Sequence, residues 1–274
     1  PYSRVYATVN LDAVASNMKS MRKNLPASTL IMGSVKADGY GHGSVPIAKT
    51  IEPYVFGYAV ATIDEGIILR RHGINKTILI LGVTHESQYE ELLRYDIRTA
   101  MFQYEKAKKL SDLAVKQGKK AVVHLALDTG MSRIGMKADR EHAKEAASIA
   151  ALEGIEVEGL FTHFARADET DKSAYEEQYR RYKEFLGYLE ELGVQIPIRH
   201  CSNSAGIVES LESNHMDMVR AGIAIYGMYP SDEVDHNSVK LTPAMEIKSC
   251  ITYIKEIGAG TAVSYGGTFV ADHT

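Results

Sequence analysis

The chain has few cysteines, no tryptophan and no long apolar run. Its 274 residues include two cysteines, Cys201 and Cys250. Two cysteines cannot form the disulfide framework of a small secreted protein, so a reducing cytoplasm is the expected location. No run approaches the roughly 20 apolar residues that cross a bilayer, so we expect no membrane-spanning helix.

The chain also has little excess charge. It carries 31 Lys and Arg residues against 35 Asp and Glu residues, which gives a formal net charge of −4. This balance offers no basic surface for a nucleic acid. Hydrophobic residues make up 45% of the chain, which excludes a disordered protein. The length allows one large domain or two smaller ones.

Short apolar runs alternate with longer segments of helical period. The first helical segment shows an apolar stripe at steps of three and four, formed by Leu11, Val14, Met18, Met21 and Leu25. Asn10 or Asp12 could cap it. Further helices are predicted at residues 104–116, 140–152 and 175–192. The runs predict buried strands at residues 30–35, 55–60, 77–82, 98–102, 121–127, 157–161, 198–201 and 217–219.

The alternation predicts the fold class. Eight strands, each followed by a connecting segment, indicate an α/β protein with a parallel sheet and helical crossovers. Eight such units fit a closed (β/α)8 barrel of the TIM type, which we place at residues 1–230. An open doubly wound sheet is the alternative, and counting strands does not separate the two.

The alternation of strand and helix segments ends after Gly227. Residues 231–240 are polar and rich in turn formers, which predicts a linker. Residues 245–256 and 261–270 alternate like antiparallel strands, so residues 241–274 are predicted to begin a carboxyl-terminal β domain. Because two strands rarely form an independent domain, we expect the chain to be a fragment of a longer protein. The alternative is that these strands pair with residues 6–10.

The first predicted strand ends in SVKADGYGHG, which contains the most informative side chain. Lys36 lies at the strand's carboxyl end, where the active site of such a barrel is found. Partial burial lowers the pKa of a lysine and frees its amine as a nucleophile. The alternative is an ordinary turn with Lys36 extended into water.

Other strand ends carry polar groups that would meet Lys36 at the barrel mouth. Arg133 follows the fifth strand, His163 the sixth, and Asn203 and Ser204 the seventh. Arg220, Gly222 and Ile223 accompany the eighth, where barrels commonly hold a phosphate. Each alone has a plain alternative: a surface arginine, a core histidine, a helix cap or a loop. Together they suit a phosphate-bearing aldehyde, pyridoxal 5′-phosphate (PLP). No second ligand accompanies His163, so we reject a metal site.

The motifs at these positions resemble those of a known family. VKADGYGHG, DTGMSRIG, THFARAD, SNSAG, VRAGIAIYG and VSYGGTF occur in the order found in alanine racemases. The resemblance covers nearly the whole chain. It implies a PLP-dependent isomerase of fold type III, acting as a cytoplasmic homodimer with shared active sites. Its reaction would interconvert L- and D-alanine and supply D-alanine for the cell wall peptidoglycan.

The resemblance also implies a role for each matching residue. Lys36 is similar to the lysine that binds PLP and acts as one base, and Tyr265 to the opposite base, which reaches the partner's site. Arg220 resembles the arginine that faces the pyridine nitrogen. His163 resembles the histidine supporting that arginine. Arg133 is similar to the arginine beside the cofactor's phenolic oxygen and the substrate. The remaining cofactor positions are Tyr40, Asn203, Ser204, Gly222 and Ile223.

Two departures and several alternatives accompany the resemblance. Many members carry a lysine, often carbamylated, where this chain has Ala126, so another group must orient Arg133. The family's β domain continues beyond residue 274. A serine or broad-specificity racemase and a non-catalytic PLP-binding barrel are alternatives, and Tyr265 argues against the second. A decarboxylase favours an acid at the pyridine nitrogen, which Arg220 argues against.

Overall fold

Within residues 4–274, which the computed structural model describes, eight parallel strands close into a barrel. Each strand pairs with the next along the chain, and the eighth pairs with the first through Met218–Leu30 and Arg220–Met32. The closed barrel is therefore confirmed over the open sheet. The strands span Leu30–Ser34, Gly57–Val60, Thr77–Ile80, Arg98–Met101, Ala121–Asp128, Ile155–Phe161, Ile198–His200 and Met218–Ala221.

The eighth strand corrects the prediction that it spans residues 217–219. It begins at Met218 and continues through Arg220 to Ala221. The charged Arg220 interrupts the apolar run in the sequence, yet it lies buried within the strand. Asp217 stands just before the strand, and its carboxylate accepts hydrogen bonds from the backbone N and the guanidinium Nε of Arg199.

Helices connect the strands and cover the barrel. The first begins after Asn10, whose side chain accepts a hydrogen bond from Ala13 N, so Asn10 is the cap. Val14, Met18 and Met21 of its stripe are fully buried. The helices span Leu11–Lys23, Lys36–Tyr40, Ser44–Ile51, Ile63–Arg71, Tyr89–Tyr95, Tyr104–Lys116, Arg140–Ala150, Ser173–Glu191 and Ser204–Val208, with 3-10 turns at Glu52–Tyr54, Glu86–Gln88, Glu212–His215 and Ile223–Tyr226.

The chain divides into two units. Residues 9–244 form the larger one, which contains the barrel. Residues 231–240 belong to it, and Val234 and Val239 in this segment are buried. A two-residue strand, Met136–Lys137, extends the sheet from the fifth barrel strand. No helix within residues 4–274 is long and apolar enough to cross a membrane.

The smaller unit comprises residues 4–8 and 245–274 of the described chain. In it, the strand Val5–Val9 pairs with Met245–Ser249. The prediction of one strand at residues 261–270 is wrong. Ala262–Val263 instead pairs antiparallel with Phe269–Val270 around the 3-10 turn Tyr265–Gly267. The turn forms because Gly266 and Gly267 adopt positive φ angles of 77° and 56°, which strands do not accommodate.

Candidate active site

A cavity of about 360 Å³ opens at the carboxyl ends of the barrel strands. It has the size of a small-molecule site. Eight of the residues predicted from the sequence line it: Lys36, Tyr40, His163, Asn203, Ser204, Arg220, Gly222 and Ile223. The structure therefore brings together the strand ends that the sequence analysis treated one by one. Ser34, Asp168 and Pro230 also line the cavity.

Lys36 enters the cavity at the start of an unusual turn. The following residues form a left-handed helical turn, with φ angles of 51°, 49°, 62° and 53° at Ala37, Asp38, Gly39 and Tyr40. Non-glycine residues in this region cost roughly 1–2 kcal/mol each. Such strain persists only where surrounding contacts impose it, and it is common at functional sites.

Glu65, in the first turn of the neighbouring helix Ile63–Arg71, holds this turn in place. One carboxylate oxygen accepts a hydrogen bond from Ala37 N at 2.8 Å, and the other accepts from Ala61 N at 2.7 Å. Within the turn, Asp38 Oδ1 accepts from Ser44 N at 2.8 Å. Glu65 could not be identified from the sequence, because a contact 28 positions from Ala37 leaves no local signal.

Tyr40, Ser204 and Gly222 form one end of the cavity. The ring of Tyr40 packs against that of Tyr226 with centroids 4.9 Å apart, and Tyr226 is anchored by donating to Ser34 O at 2.8 Å. A Cβ atom added at Gly222 would lie 3.4 Å from the Tyr40 hydroxyl and 3.6 Å from Ser204 Oγ. The absent side chain of Gly222 therefore leaves a small cup between two hydroxyl groups. Ser204 Oγ accepts from Gly222 N at 2.9 Å.

Asn203 acts locally as a helix cap. Its Oδ1 accepts from Gly206 N at 3.2 Å, and its Nδ2 donates to Phe164 O at 3.3 Å. This is the ordinary role that the sequence also allowed. The cap fixes the start of Ser204–Val208 and so places Ser204 at the cavity wall.

Arg220 is the charged centre of the cavity floor. It is 4% exposed, and burial lowers its pKa to about 10, so it keeps its charge at neutral pH. Its Nη1 donates to Nδ1 and the carbonyl oxygen of His200 at 2.9 and 3.0 Å. Its Nη2 donates to Thr162 O at 2.6 Å and Cys201 O at 3.0 Å. Its Nε–H makes no hydrogen bond within residues 4–274.

His163 lies beside this guanidinium as a neutral imidazole. Its Nδ1 is 3.3 Å from Arg220 Nη2, and because arginine only donates, that nitrogen accepts. Burial, followed by the positive charges of Arg220, Arg133 and Lys36, lowers the pKa of His163 to about 3. A second positive charge at the cavity is thereby avoided.

Gln178, which was not predicted from the sequence, holds the strand ends around His163. From the long helix Ser173–Glu191, its Nε2 donates to His163 O at 3.1 Å and to Thr129 Oγ1 at 3.2 Å. Its Oε1 accepts from Ala165 N at 2.9 Å. A buried glutamine on a tyrosine-rich helix face carries no sequence signal of its own.

Arg133 lies at an adjoining cleft that it shares with His163 and Arg220. Its side chain is exposed and makes no hydrogen bond or ion pair within the described part of the chain. Ala126 is buried in a small apolar cluster with Ala100 and Phe161. The group that would orient Arg133 is therefore not supplied from the position of Ala126.

Tyr265 is the one predicted site residue outside the larger unit. It begins the 3-10 turn of the smaller unit, and its side chain is completely exposed. Among residues 4–274, no three His, Cys, Asp or Glu side chains are arranged to bind a metal ion.

The fold and the cavity define a class: a TIM-type barrel enzyme with a lysine and a buried arginine at the carboxyl ends of its strands. Comparison with known proteins makes the class more specific. Residues 9–230 match the family model "Alanine racemase, N-terminal domain". An alanine racemase of Desulforamulus reducens is 44% identical over 266 residues, which cover 97% of this chain and 72% of the relative.

Solved structures agree with the sequence comparison. Alanine racemase of Clostridium difficile 630 superposes with a TM-score of 0.92 at 40% identity, covering 98% of this chain and 71% of that one. The Bacillus anthracis alanine racemase solved with bound L-Ala-P gives a TM-score of 0.88 at 32% identity, covering 100% and 71%. The chain belongs to the alanine racemase family, which confirms the resemblance of its motifs.

Proposed function

We propose that the protein interconverts L- and D-alanine by moving the Cα proton from one face of the amino acid to the other. The observation that carries this proposal is the single cavity that gathers Lys36, His163, Arg220 and the cup at Gly222. The curated relatives, named alanine racemases, support it.

The cavity fits PLP as the cofactor. Ser34 Oγ is buried without a hydrogen-bond partner in the described residues, and Arg220 Nε–H is a further free donor. The cup at Gly222 could take a phosphate between the hydroxyl groups of Tyr40 and Ser204. We therefore assign the phosphate to Tyr40, Ser204, Gly222 and Ile223. When bound, PLP supplies an aldehyde that accepts an amine and a ring that withdraws electrons from Cα.

Arg220 sets how strongly that ring withdraws electrons. Its Nε–H would donate to the pyridine nitrogen, and an arginine does not give up its proton to that nitrogen at working pH. The ring is then a weaker electron sink than one with a protonated nitrogen. We infer that this arrangement favours proton exchange over side reactions.

Two bases on opposite faces of Cα suffice for racemisation. We assign Lys36 as the base on the cavity wall and Tyr265 as the base on the other face. Because Tyr265 is fully exposed, we propose that it serves the site of a second copy in a homodimer.

The remaining assignments follow the same proposal. Arg133 would contact the cofactor's phenolic oxygen and the substrate carboxylate through charged hydrogen bonds. We propose a barrel domain at residues 1–230, a β domain beginning at 241 and, between them, a linker at 231–240 that is packed into the larger unit through Val234 and Val239. The cytoplasm is the proposed location, since both cysteines are free thiols. D-alanine for peptidoglycan is the proposed product.

Exchange of the alanine Cα hydrogen with solvent tests the function. With PLP added, we expect L-alanine in D2O to gain deuterium at Cα and to lose optical rotation. Lys36→Ala should abolish both signals. A protein that binds PLP through Lys36 but gives no exchange above background would be a carrier, and a higher rate on serine would indicate another racemase.

The assignment of Tyr265 has its own test. Tyr265→Ala should slow racemisation strongly while PLP remains bound. Mixing inactive Lys36→Ala and Tyr265→Ala proteins should partly restore activity if each site takes residues from two copies. An unchanged rate in Tyr265→Ala would refute the two-base assignment.

A further inference from the structure

A line of polar side chains runs through the barrel interior below the cavity. Arg220 Nη1 is 2.9 Å from His200 Nδ1, and His200 Nε2 is 2.8 Å from His124 Nδ1. His124 Nε2 is 2.9 Å from Glu158 Oε2, which Arg98 Nε reaches at 3.4 Å. Barrel interiors are usually filled by branched apolar side chains. Both histidines here are completely buried, so this line requires an explanation.

The backbone is shaped to admit the line. The pairing of the fifth and sixth strands shifts register between Val123 and His124. Beside the shift, a Cβ atom added at Gly159 would lie 2.5 Å from His124 Nδ1, closer than any real contact. The strands therefore accommodate the His124 ring only because residue 159 has no side chain.

The two ends of the line fix the direction of every hydrogen bond in it. Arginine only donates, so His200 Nδ1 accepts and the proton of a neutral His200 lies on Nε2. That proton is donated to His124 Nδ1, which places the His124 proton on Nε2. The carboxylate of Glu158 accepts it. The donors thus run one way, from Arg220 to Glu158.

The protonation of the line supports this assignment. Burial lowers the pKa of both histidines, most strongly that of His200, so both rings are neutral at working pH. Burial raises the pKa of Glu158, but the hydrogen bond from His124 and the charge of Arg98 outweigh it and hold the pKa below its ordinary value. Glu158 is therefore an anion two imidazole rings away from Arg220.

We propose that Glu158 and His124 are positioning residues. They act through His200 to hold the guanidinium of Arg220 in one orientation. If either imidazole took the other tautomer, an N–H would face an N–H within the line. With Nη1 and Nη2 held, Nε–H is the donor left for the cavity. The role of that donor toward the cofactor rests on the function proposed above, whereas the tautomers do not.

The first test reads the tautomers without cofactor or activity. Nitrogen-15 correlation spectra of the imidazoles should show Nε2–H for both His200 and His124 in the protein. Glu158→Met keeps the side-chain volume but removes the acceptor of His124 Nε2–H. Arg220 still donates to His200 Nδ1, so the His200 tautomer should persist. The Arg220 Nε–H, no longer held in one orientation, should exchange faster with water and show lower order in nitrogen-15 relaxation. Glu156→Gln, at an exposed position on the same strand, is the matched control and should change nothing. An Arg220 Nε–H with the same exchange rate and order in Glu158→Met as in Glu156→Gln would overturn the proposal.

The second test uses the protein with PLP added. Glu158→Met, which removes the acceptor, should lower kcat by roughly tenfold, in the range known for groups that orient a functional side chain, with KM for alanine within twofold. Glu158→Gln keeps an acceptor oxygen for His124 Nε2–H, so it should fold, retain the tautomers and restore most of kcat. A kcat of Glu158→Met equal to that of Glu156→Gln would overturn the proposal. Absence of racemisation in the unmodified protein would instead refute the proposed function and leave the tautomer result standing.

Discussion

Removing the Glu65 carboxylate should loosen the turn that carries Lys36. Glu65→Ala deletes the acceptor of two short hydrogen bonds, from Ala37 N and Ala61 N. A bond to a charged acceptor contributes about 1.5–3 kcal/mol, and these two lie near solvent, so we expect a total loss of about 2–4 kcal/mol. Glu65→Gln keeps one acceptor oxygen, so it should lose about half as much.

Urea unfolding and amide exchange measure the effect together. Asp64→Ala is the control, because Asp64 is an exposed residue in the first turn of the same helix. Beyond the loss of unfolding free energy, the amides of Ala37 and Ala61 should lose protection in Glu65→Ala. PLP affinity should fall about tenfold, which corresponds to 1.4 kcal/mol. If the free energy of unfolding of Glu65→Ala lay within 0.5 kcal/mol of that of Asp64→Ala, the role of Glu65 in holding the turn would be refuted.

Three further variants address other parts of the cavity. In Gly222→Ala the added Cβ atom would make only ordinary contacts with Tyr40 and Ser204, so the melting temperature should stay unchanged. PLP affinity should fall at least tenfold in a fluorescence titration, because the methyl group fills the cup. An unchanged affinity would show that the phosphate binds elsewhere. The pKa of His163 lies below its unfolded value, so its stabilising effect is complete above pH 6.5 and is lost as the pH falls toward 3. His163 alone should account for a loss of about 2 kcal/mol between pH 6.5 and 5, so His163→Gln should reduce the slope of urea titrations by that amount, while His124 and His200 keep their own contributions. Gly159→Ala should destabilise the fold by about 1–3 kcal/mol in thermal melts, because its Cβ would overlap His124.

The barrel could be predicted because its strands and helices follow simple periods. The helix Tyr104–Lys116 has the bounds predicted from the sequence, since its apolar stripe begins and ends within the segment. The turn after Lys36 could not be predicted: Ala37 and Asp38 disfavour positive φ, and the contacts that impose it come from elsewhere in the chain.

The candidate site was predictable only in part for a similar reason. Lys36 and Arg220 stand out because they interrupt or end apolar runs. His124 and His200 lie inside runs that indicate only buried strands, and their pairing depends on which strands the closed barrel makes neighbours. The role of Tyr265 remains a prediction, because its exposed side chain contacts no group that would assign it.

The surroundings of Arg220 explain why the barrel tolerates a permanent buried cation at this end. Parallel strands present their last carbonyl oxygens at the carboxyl edge, and the guanidinium takes three of them, from Thr162, His200 and Cys201. Peptide dipoles thus solvate the charge without a carboxylate beside it. Arg220→Lys would keep the charge, but its single ammonium nitrogen would replace a planar guanidinium with several N–H groups. Some of the three carbonyl oxygens would then be buried without a hydrogen-bond donor.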